Sequence, residues 1–294
     1  MTIDCEGVNV LPSWANATDP SDSPQVRILD ADGTLHFSHL KKIALSGIQY
    51  LHSVNTPTVS TRDMRTGTVA HTILLGPRQG AKEAVVYRGR RAGKDWDAFE
   101  AANVGKEIVT LSEWAEAEAM VESVRRSTTG RGRLAGAKTE VPFTWEDGGI
   151  KCSTSGVDIL PVGDDLGDLK TTSTTNPDAF KIHAFKMHWA HQLVWYRRGA
   201  RKSGRTVRRL FLLGVERKAP YEVVELQLSS EMEEAAERGV DLWLEKLRGY
   251  MLSCPRPKSI YDWPGYAAAP VLWDPPAWLT AEDEDDIDEE DAAE

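Results

Sequence analysis

The chain has 294 residues, of which 41% are hydrophobic and 27% are charged, proportions typical of a soluble globular protein with one large domain or two small ones. Its longest apolar runs are too short to span a bilayer, and its N-terminus lacks the basic and apolar pattern of a secretory signal. Three scattered cysteines exclude a disulfide framework, a CxxC zinc site and a four-cysteine iron–sulfur cluster, so we expect a cytoplasmic protein.

The net charge of −10 is concentrated at the C-terminus. Residues 281–294 contain ten acidic residues and no basic ones, which leaves the rest of the chain with equal numbers of the two. We expect this tail to be disordered, because its like charges repel and it has little apolar surface to bury. It either keeps the protein soluble, competes with nucleic acid for a basic surface or binds a basic partner. Two basic segments, 124–133 and 197–209, are candidates for phosphate contacts if they flank a reactive site.

The first half of the chain is predicted to be mostly helical. Residues 1–35 are rich in Asp, Pro and Ser, and we expect a poorly ordered segment there, followed by a single domain over 36–280. Ser38 is the predicted cap of a helix through 39–54, whose apolar residues keep helical spacing. Further helices are predicted over 62–76, 93–104 and 111–126, the last of them opened by Ser112.

The second half is predicted to contain the sheet. Residues 140–147, 150–160 and 167–173 have the pattern of a three-stranded meander. A helix capped by Asn176 or Thr175 follows, then a strand pair over 210–217 and 221–229, then a last helix opened by Ser229 or Ser230. The order predicts an α/β fold with a mixed central sheet flanked by helices and a helical N-terminal half.

Asp158, Asp168 and Lys170 are the predicted reactive centre. Asp168 and Lys170 are two residues apart on a strand, so their side chains share a face while Leu169 turns into the core. If the strands that carry Asp158 and Asp168 are hairpin neighbours, their carboxylates converge, which is costly unless a divalent cation lies between them. Oxygen ligands favour Mg²⁺, with Mn²⁺ as a substitute. Lys170 would then activate a water beside a phosphate, unless it forms only a surface ion pair.

Gln192 and Tyr196 are four residues apart and share one face of a helix. That face either contacts a DNA backbone or, for Tyr196, belongs to the apolar core. Three competing motifs fail. GRLAGAKT at 132–139 departs from P-loop spacing, no cysteine supports a zinc site with the histidines at 183–191, and no nucleophile elbow is present.

The ordered set of these residues resembles the PD-(D/E)XK nuclease superfamily. Asp158, nine further residues and then Asp168-Leu169-Lys170 match its signature, and Q192-LVW-Y196 resembles the QxxxY element of its RecB-like branch. GTVAHTILL at 67–75 resembles the GTxxH helix of that branch. Over 36–280 the chain is similar to the exonuclease VIII (RecE) type of phage exonuclease, notably in RTGTVAHTILLGP, in DLKTT followed by NPDAF, and in LLGVERKAPYEVV.

The resemblance implies a role for each matched position. Mg²⁺ would be held by Asp158, Asp168, the Leu169 carbonyl and His71. By pattern alone, a single histidine in an apolar helix is more often a core residue. Lys170 would activate the attacking water, Glu140 would occupy a further acidic position, and Gln192 and Tyr196 would contact the cleaved strand or steady Lys170. The family often has a basic residue just before its first aspartate. This chain has CSTSGVD there, and segment 197–209 is the candidate replacement.

The implied activity is Mg²⁺-dependent digestion of double-stranded DNA from the 5′ end, which leaves 3′ single strands for recombination by strand annealing. The implied partners are DNA ends, a RecT-like single-strand annealing protein and further copies of the chain in a toroidal tetramer, in the cytoplasm of a bacterium that carries the phage or prophage. Two alternatives stay open. One is a catalytically silent DNA-end-binding scaffold, and the other is a RecB-like or Cas4-like repair nuclease, which the lack of four clustered cysteines disfavours.

Overall fold

The computed structural model describes residues 26–78 and 82–267. Residues 1–25, most of the segment predicted to be poorly ordered, and the acidic tail lie outside the described residues. Residues 26–35 differ from that prediction, because Ile28 packs against the apolar core and its carbonyl accepts a hydrogen bond from the Tyr50 hydroxyl at 2.7 Å. Within the described ranges, no helix is both long and apolar enough to cross a bilayer.

The N-terminal half is mostly helical, as predicted. The helices predicted over 62–76, 93–104 and 111–126 are confirmed at Arg62–Leu75, Lys94–Ala102 and Leu111–Arg126. Two strands, Ala84–Tyr87 and Glu107–Thr110, have no counterpart among the predicted elements and pair in parallel as a separate sheet. In chain order the elements are β1 (Leu35–His36), α1 (Phe37–Leu40), a 3-10 turn (Lys41–Ala44), α2 (Gly47–Asn55), α3 (Arg62–Leu75), β2 (Ala84–Tyr87), α4 (Lys94–Ala102), β3 (Glu107–Thr110), α5 (Leu111–Arg126) and α6 (Thr128–Leu134).

Two predicted helix starts are wrong, and both errors concern caps. The single helix predicted over 39–54 from Ser38 is broken. The Ser46 hydroxyl accepts a hydrogen bond from the backbone amide of Gln49 and thereby caps a separate helix, α2. Helix α5 is capped by Thr110 rather than Ser112. The Thr110 hydroxyl and the side chain of the third helical residue cap each other's backbone amides, which forms a capping box.

The predicted three-stranded meander is also wrong, because its first two strands each break and change sheets. The first divides at Pro142, which has no amide hydrogen for a ladder, into β4 (Lys138–Val141) and β5 (Thr144–Asp147). The second divides at Ser155, whose φ is +62°, into β6 (Ile150–Ser153) and β7 (Val157–Leu160). Strands β5 and β6 join β1 in a three-stranded sheet, while β4 and β7 enter the main sheet.

The main sheet has five strands and carries the predicted reactive residues. Its order is β10-β9-β8-β7-β4, with β8 (Asp165–Thr172), β9 (Arg209–Glu216) and β10 (Val223–Gln227). Strands β8 and β9 are parallel and the other pairs are antiparallel, so the sheet is mixed and the predicted fold class is confirmed. The predicted pairing of the last two meander strands is retained as the β7–β8 hairpin.

Up to residue 267, where the described part of the chain ends, three α-helices and a 3-10 turn (Ile260–Asp262) complete the C-terminal half. The helix predicted from Asn176 begins as α7 (Pro177–Lys186), and the Asn176 side chain caps it as predicted. It then breaks at His188, whose φ is +59°, and continues as α8 (Trp189–Lys202). The last helix, α9 (Ser230–Ser253), is capped by Ser229, one of the two predicted caps.

Apolar cores lie on both faces of the main sheet. Leu212 and Leu213 are neighbours on β9 and therefore point to opposite faces, and they belong to two different clusters of buried residues. The cluster with Leu212 includes residues of α2, α8 and α9, and the cluster with Leu213 includes residues of α3 and α5. The sheet is therefore a central layer, and each face is covered by its own set of helices.

Candidate active site

Two buried aspartates face each other across the β7–β8 hairpin. Ile159 lies opposite Gly167 in this antiparallel pair, so the register places Asp158 opposite Asp168. Each aspartate has 1% of its surface exposed. Burial, with the Asp158 carboxylate as the next cause, raises the pKa of Asp168 to about 6, and burial raises the pKa of Asp158 as well. Two carboxylates held this close and away from water favour the binding of a cation.

Helix α3 brings His71 to the same carboxylates. Nδ1 of His71 lies 3.5 Å from Oδ2 of Asp158, and the ring keeps 23% exposure. Burial lowers the pKa of His71 to about 4, although the Asp168 carboxylate opposes the shift, so the imidazole is neutral at pH 7 and can act as a metal ligand. Gly67, one turn earlier on α3, permits this close packing, because a Cβ there would lie 2.8 Å from Oγ1 of Thr171 on β8.

Glu140 contributes a third carboxylate from β4, at the edge of the sheet. The residues on either side of Glu140 pair with those on either side of Asp158, so the two acidic residues lie level with each other. The φ of Glu140 is +51°, a left-handed conformation that interrupts the ladder at this residue. Among the described residues, His71, Glu140 and Asp158 form the one group of metal-binding side chains found, with one ligand atom of each within 4.8 Å of the others.

Lys170 points the same way from β8 as Asp168, as their spacing predicts. Its Nζ lies 2.5 Å from Oδ2 of Asp168 and 5.3 Å from the centre of the Trp189 ring. Leu169, between the two charged residues, is buried in the core. The Leu169 amide donates a hydrogen bond to Oδ2 of Asp158 at 2.9 Å. The backbone of Leu169 is thus in contact with the site, where its carbonyl was predicted to be a ligand.

Helix α8 supports Lys170 through Gln192 and Tyr196. Oε1 of Gln192 accepts a hydrogen bond from Lys170 Nζ at 2.9 Å, and Nε2 of Gln192 donates to the Tyr196 hydroxyl at 2.7 Å. Tyr196 is 2% exposed, and burial, followed by the charges of Asp168 and Asp158, raises its pKa. The ring of Tyr196 therefore belongs to the core, as one of the two interpretations predicted, and its hydroxyl hydrogen-bonds the residue that holds Lys170, while contact with DNA stays a prediction.

Arg78 is the site residue that sequence reasoning missed. It lies just beyond the end of α3, where its Nε contacts Oε2 of Glu140 at 2.7 Å and a terminal guanidinium nitrogen contacts Oδ1 of Asp158 at 2.6 Å. Arg78 is thus the basic residue in contact with Asp158, and the hypothesis that segment 197–209 replaces the basic residue of related proteins stays a prediction. No local pattern marked Arg78, because it meets Asp158 from a position 80 residues earlier in the chain.

Six of the eleven basic residues in the two basic segments are paired with acidic neighbours. In segment 197–209, Arg197 and Arg198 pair with carboxylates on α9, and Arg208 and Arg209 pair with Asp164 and Asp165. In segment 124–133, Arg133 pairs with Asp165 and with a glutamate on β10, and Arg126 pairs with Glu122. These paired arginines are already engaged with carboxylates, so they are not a preformed surface for phosphate.

The residues at this site fit a divalent cation. Three carboxylates and one imidazole supply oxygen and nitrogen donors of the kind that Mg²⁺ and Mn²⁺ accept. Oδ2 of Asp168 is buried and, despite its close ion pair with Lys170, makes no well-aligned hydrogen bond, so it has unused acceptor capacity. An open concavity of about 510 Å³ is lined by most of the predicted site residues and by Arg78. The lining includes His71, Glu140, Asp158, Asp168, Lys170, Gln192 and Arg78. Tyr196 does not line the concavity.

Comparison with known proteins gives one family and one clear structural likeness. The family described as a PDDEXK-like domain of unknown function (DUF3799) matches residues 36–254. A protein from Eubacterium rectale, described provisionally as an exonuclease, superposes with a TM-score of 0.54 and 14% identity over 74% of this chain and 82% of that one, which shows a shared fold. An alkaline exonuclease from Laribacter hongkongensis gives a TM-score of 0.28 and 14% identity over 60% of this chain and 92% of that one, a likeness too weak to bear on the fold. No curated protein matches the chain.

Proposed function

We propose a nuclease function for this chain, which belongs to the family of PDDEXK-like domains DUF3799. The substrate is double-stranded DNA, which the protein digests from the 5′ end in a Mg²⁺-dependent reaction that leaves 3′ single strands. The observation that carries the proposal is the meeting of Asp158, Asp168 and Lys170 in one concavity with His71 and Glu140. Two likenesses support DNA ends as the substrate. The chain resembles exonuclease VIII-type enzymes, and it shares its fold with the Eubacterium rectale protein that is provisionally described as an exonuclease.

Each side chain has a distinct task in this proposal. His71, Asp158, Asp168 and Glu140, with the Leu169 carbonyl, would hold Mg²⁺. The bound cation would supply Lewis-acid stabilisation of charge on the phosphoryl oxygens. Lys170 orients and so activates the attacking water, and its ammonium group stabilises negative charge as the phosphodiester bond breaks. Gln192 fixes the position of Lys170 through the 2.9 Å hydrogen bond, and Tyr196 fixes Gln192 in turn.

The proposal includes the partners of the resembled family. Further copies of the chain would form a toroidal tetramer that threads the duplex, and a RecT-like annealing protein would take the 3′ strand that remains. Because many arginines of the two basic segments are paired within the chain, a ring would have to gain its positive lining from other residues repeated by symmetry. Sedimentation of the purified protein with and without duplex DNA tests this assembly, and a monomer in both conditions would refute it.

The decisive experiment is digestion of linear duplex DNA labelled at the 5′ or the 3′ end. We expect early release of 5′-labelled mononucleotide with Mg²⁺ and no release with EDTA. Lys170→Ala should abolish release while duplex binding is retained. Lys151→Ala is the matched control, because Lys151 is an exposed lysine on β6 outside the concavity. If the wild type binds DNA ends but releases nothing from either end, the nuclease proposal is refuted and the scaffold alternative is favoured.

A further inference from the structure

Arg78 binds the same two carboxylates that a divalent cation would need. Its guanidinium bridges Glu140 and Asp158 at 2.7 Å and 2.6 Å, and these two carboxylates, with His71, are the metal-binding group of the site. A compact divalent cation and a bidentate guanidinium cannot both occupy the space between the two carboxylates. The positive charge of Arg78 would also repel the cation at this distance.

We propose that Arg78 holds the cation position until a divalent metal displaces it, and that the released guanidinium then binds a phosphate of the substrate. The phosphate half of this inference rests on the proposed nuclease function. The metal half rests on the contacts of Arg78 alone. Arg78 is thus a residue with two alternative partners, a carboxylate pair in one state and a phosphate in the other.

The charge balance of the site favours such an exchange. Asp158, Asp168 and Glu140 carry three negative charges when ionised, and Lys170 and Arg78 supply two positive ones. When a divalent cation replaces Arg78 at the carboxylates, the total charge of the site becomes more positive. Arg78, which the carboxylates had neutralised, then requires another anion. Phosphate is the anion that a forked guanidinium recognises best, because two parallel N–H groups can meet two of its oxygens.

The position of Arg78 in the fold permits the movement. α3 ends at Leu75, and Gly76 follows with a φ of +91°, so Arg78 lies outside the helix and can reorient without unwinding it. Its side chain is 34% exposed, whereas Asp158 is almost fully buried. The guanidinium also lines the same concavity as Lys170 and Gln192, where the substrate phosphate would lie.

The alternative is that Arg78 is a structural clamp that keeps Glu140 and Asp158 in position for the metal. The two possibilities predict opposite changes in metal affinity when Arg78 is removed. If Arg78 competes with the metal, its removal strengthens metal binding, because the carboxylates lose their resident cation. If it is a clamp, its removal weakens metal binding, because two like charges move apart.

The first test is a calorimetric titration of the folded full-length protein with Mn²⁺. We expect Arg78→Gln to bind Mn²⁺ at least fivefold more tightly than the wild type. Arg62→Gln, which removes an arginine from its pair with Glu116 on the surface of α3 and α5, should leave the affinity unchanged. Arg78→Lys keeps the charge but loses the planar fork that meets Glu140 through Nε and Asp158 through a terminal nitrogen, so it should bind Mn²⁺ more tightly than the wild type and less tightly than Arg78→Gln, and it serves if Arg78→Gln does not fold. Unchanged or weaker binding in the folded variants would refute displacement.

The second test measures binding to a duplex end in Ca²⁺ and, separately, in EDTA. In Ca²⁺, Arg78→Gln should bind several-fold more weakly than the wild type, and the slope of log affinity against log salt concentration should fall by the amount expected for about one lost phosphate contact. In EDTA the two proteins should bind equally. An equal loss in both conditions, or no loss in Ca²⁺, would refute the exchange of partners. If the wild type fails to cleave DNA, the proposed function falls, while the Mn²⁺ titration still decides the displacement.

Discussion

Replacement of Gly67 by alanine is the most direct test of how the fold builds the metal site. Gly67 lies in the buried face of α3, and a Cβ at this position would be 2.8 Å from Oγ1 of Thr171 on β8. An ordinary contact needs about 0.6 Å more, so α3, β8 or the side chain of Thr171 must move. His71 is one turn further along the same face of α3, and it would move with the helix away from Asp158.

The magnitude follows from two opposing effects. Alanine is a better helix former than glycine by ~1 kcal/mol, while forcing a methyl group into a tight contact costs ~1–3 kcal/mol. Gly249 is the matched control, because it is an exposed glycine in α9 with nothing within 4 Å of a built Cβ. The gain in helix propensity is the same for both substitutions. The free energy of unfolding of Gly67→Ala should therefore be lower than that of Gly249→Ala by ~1–3 kcal/mol.

Urea unfolding of the two variants measures this difference, and a Mn²⁺ titration measures its effect on the site. We expect Gly67→Ala to bind Mn²⁺ several-fold more weakly than the wild type and Gly249→Ala to bind it equally. Removal of the obstructing hydroxyl in the double variant Gly67→Ala/Thr171→Ala should recover both stability and affinity relative to Gly67→Ala. If Gly67→Ala is as stable as Gly249→Ala and binds Mn²⁺ normally, the packing of α3 on β8 does not position His71.

Three further predictions concern pH, the support of Lys170 and the anchoring of α3. Because Asp168 keeps its proton up to a pH of about 6, Mn²⁺ affinity should fall as the pH drops from 7 to 5, and Asp168→Asn should make that decline shallower in a titration series. Tyr196→Phe removes the partner of Gln192, so kcat should fall while Mn²⁺ affinity stays constant in parallel assays. Glu113→Gln breaks a buried ion pair with Arg65 and should cost ~3–5 kcal/mol in urea unfolding, and a cost below 1 kcal/mol would contradict this.

The sequence predicted the parts of the site that depend on local geometry. Asp168 and Lys170 share a face because strands alternate, and Gln192 and Tyr196 share one because a helix has 3.6 residues per turn. The hairpin between Asp158 and Asp168 required only a short turn. These relations are set within a few residues of the chain, so pattern reasoning can reach them.

The wrong predictions have two causes. In some, a residue's partner is distant in the sequence, and in others a single residue interrupts a strand or helix whose overall pattern predicted a continuous element. Pro142 carried a signal for a strand break, since it cannot donate to a ladder, but the surrounding apolar residues favoured one continuous strand. The break at His188 has no decisive local signal, because a positive φ is uncommon for any residue but glycine, even though histidine adopts it more often than most. Arg78 could be identified only once the tertiary structure placed it beside Glu140 and Asp158.

The composition of the metal site also has a consequence for the lifetime of the protein in a cell. His71 belongs to a helix, Glu140 to an edge strand and Asp158 to an inner strand, so a cation held by all three would be a reversible crosslink between distant segments. Ligands that bind only the folded state stabilise it in proportion to the logarithm of their concentration. Fluctuations of free magnesium would therefore change how often the N-terminal half opens, and with it the rate at which cellular proteases cleave the chain.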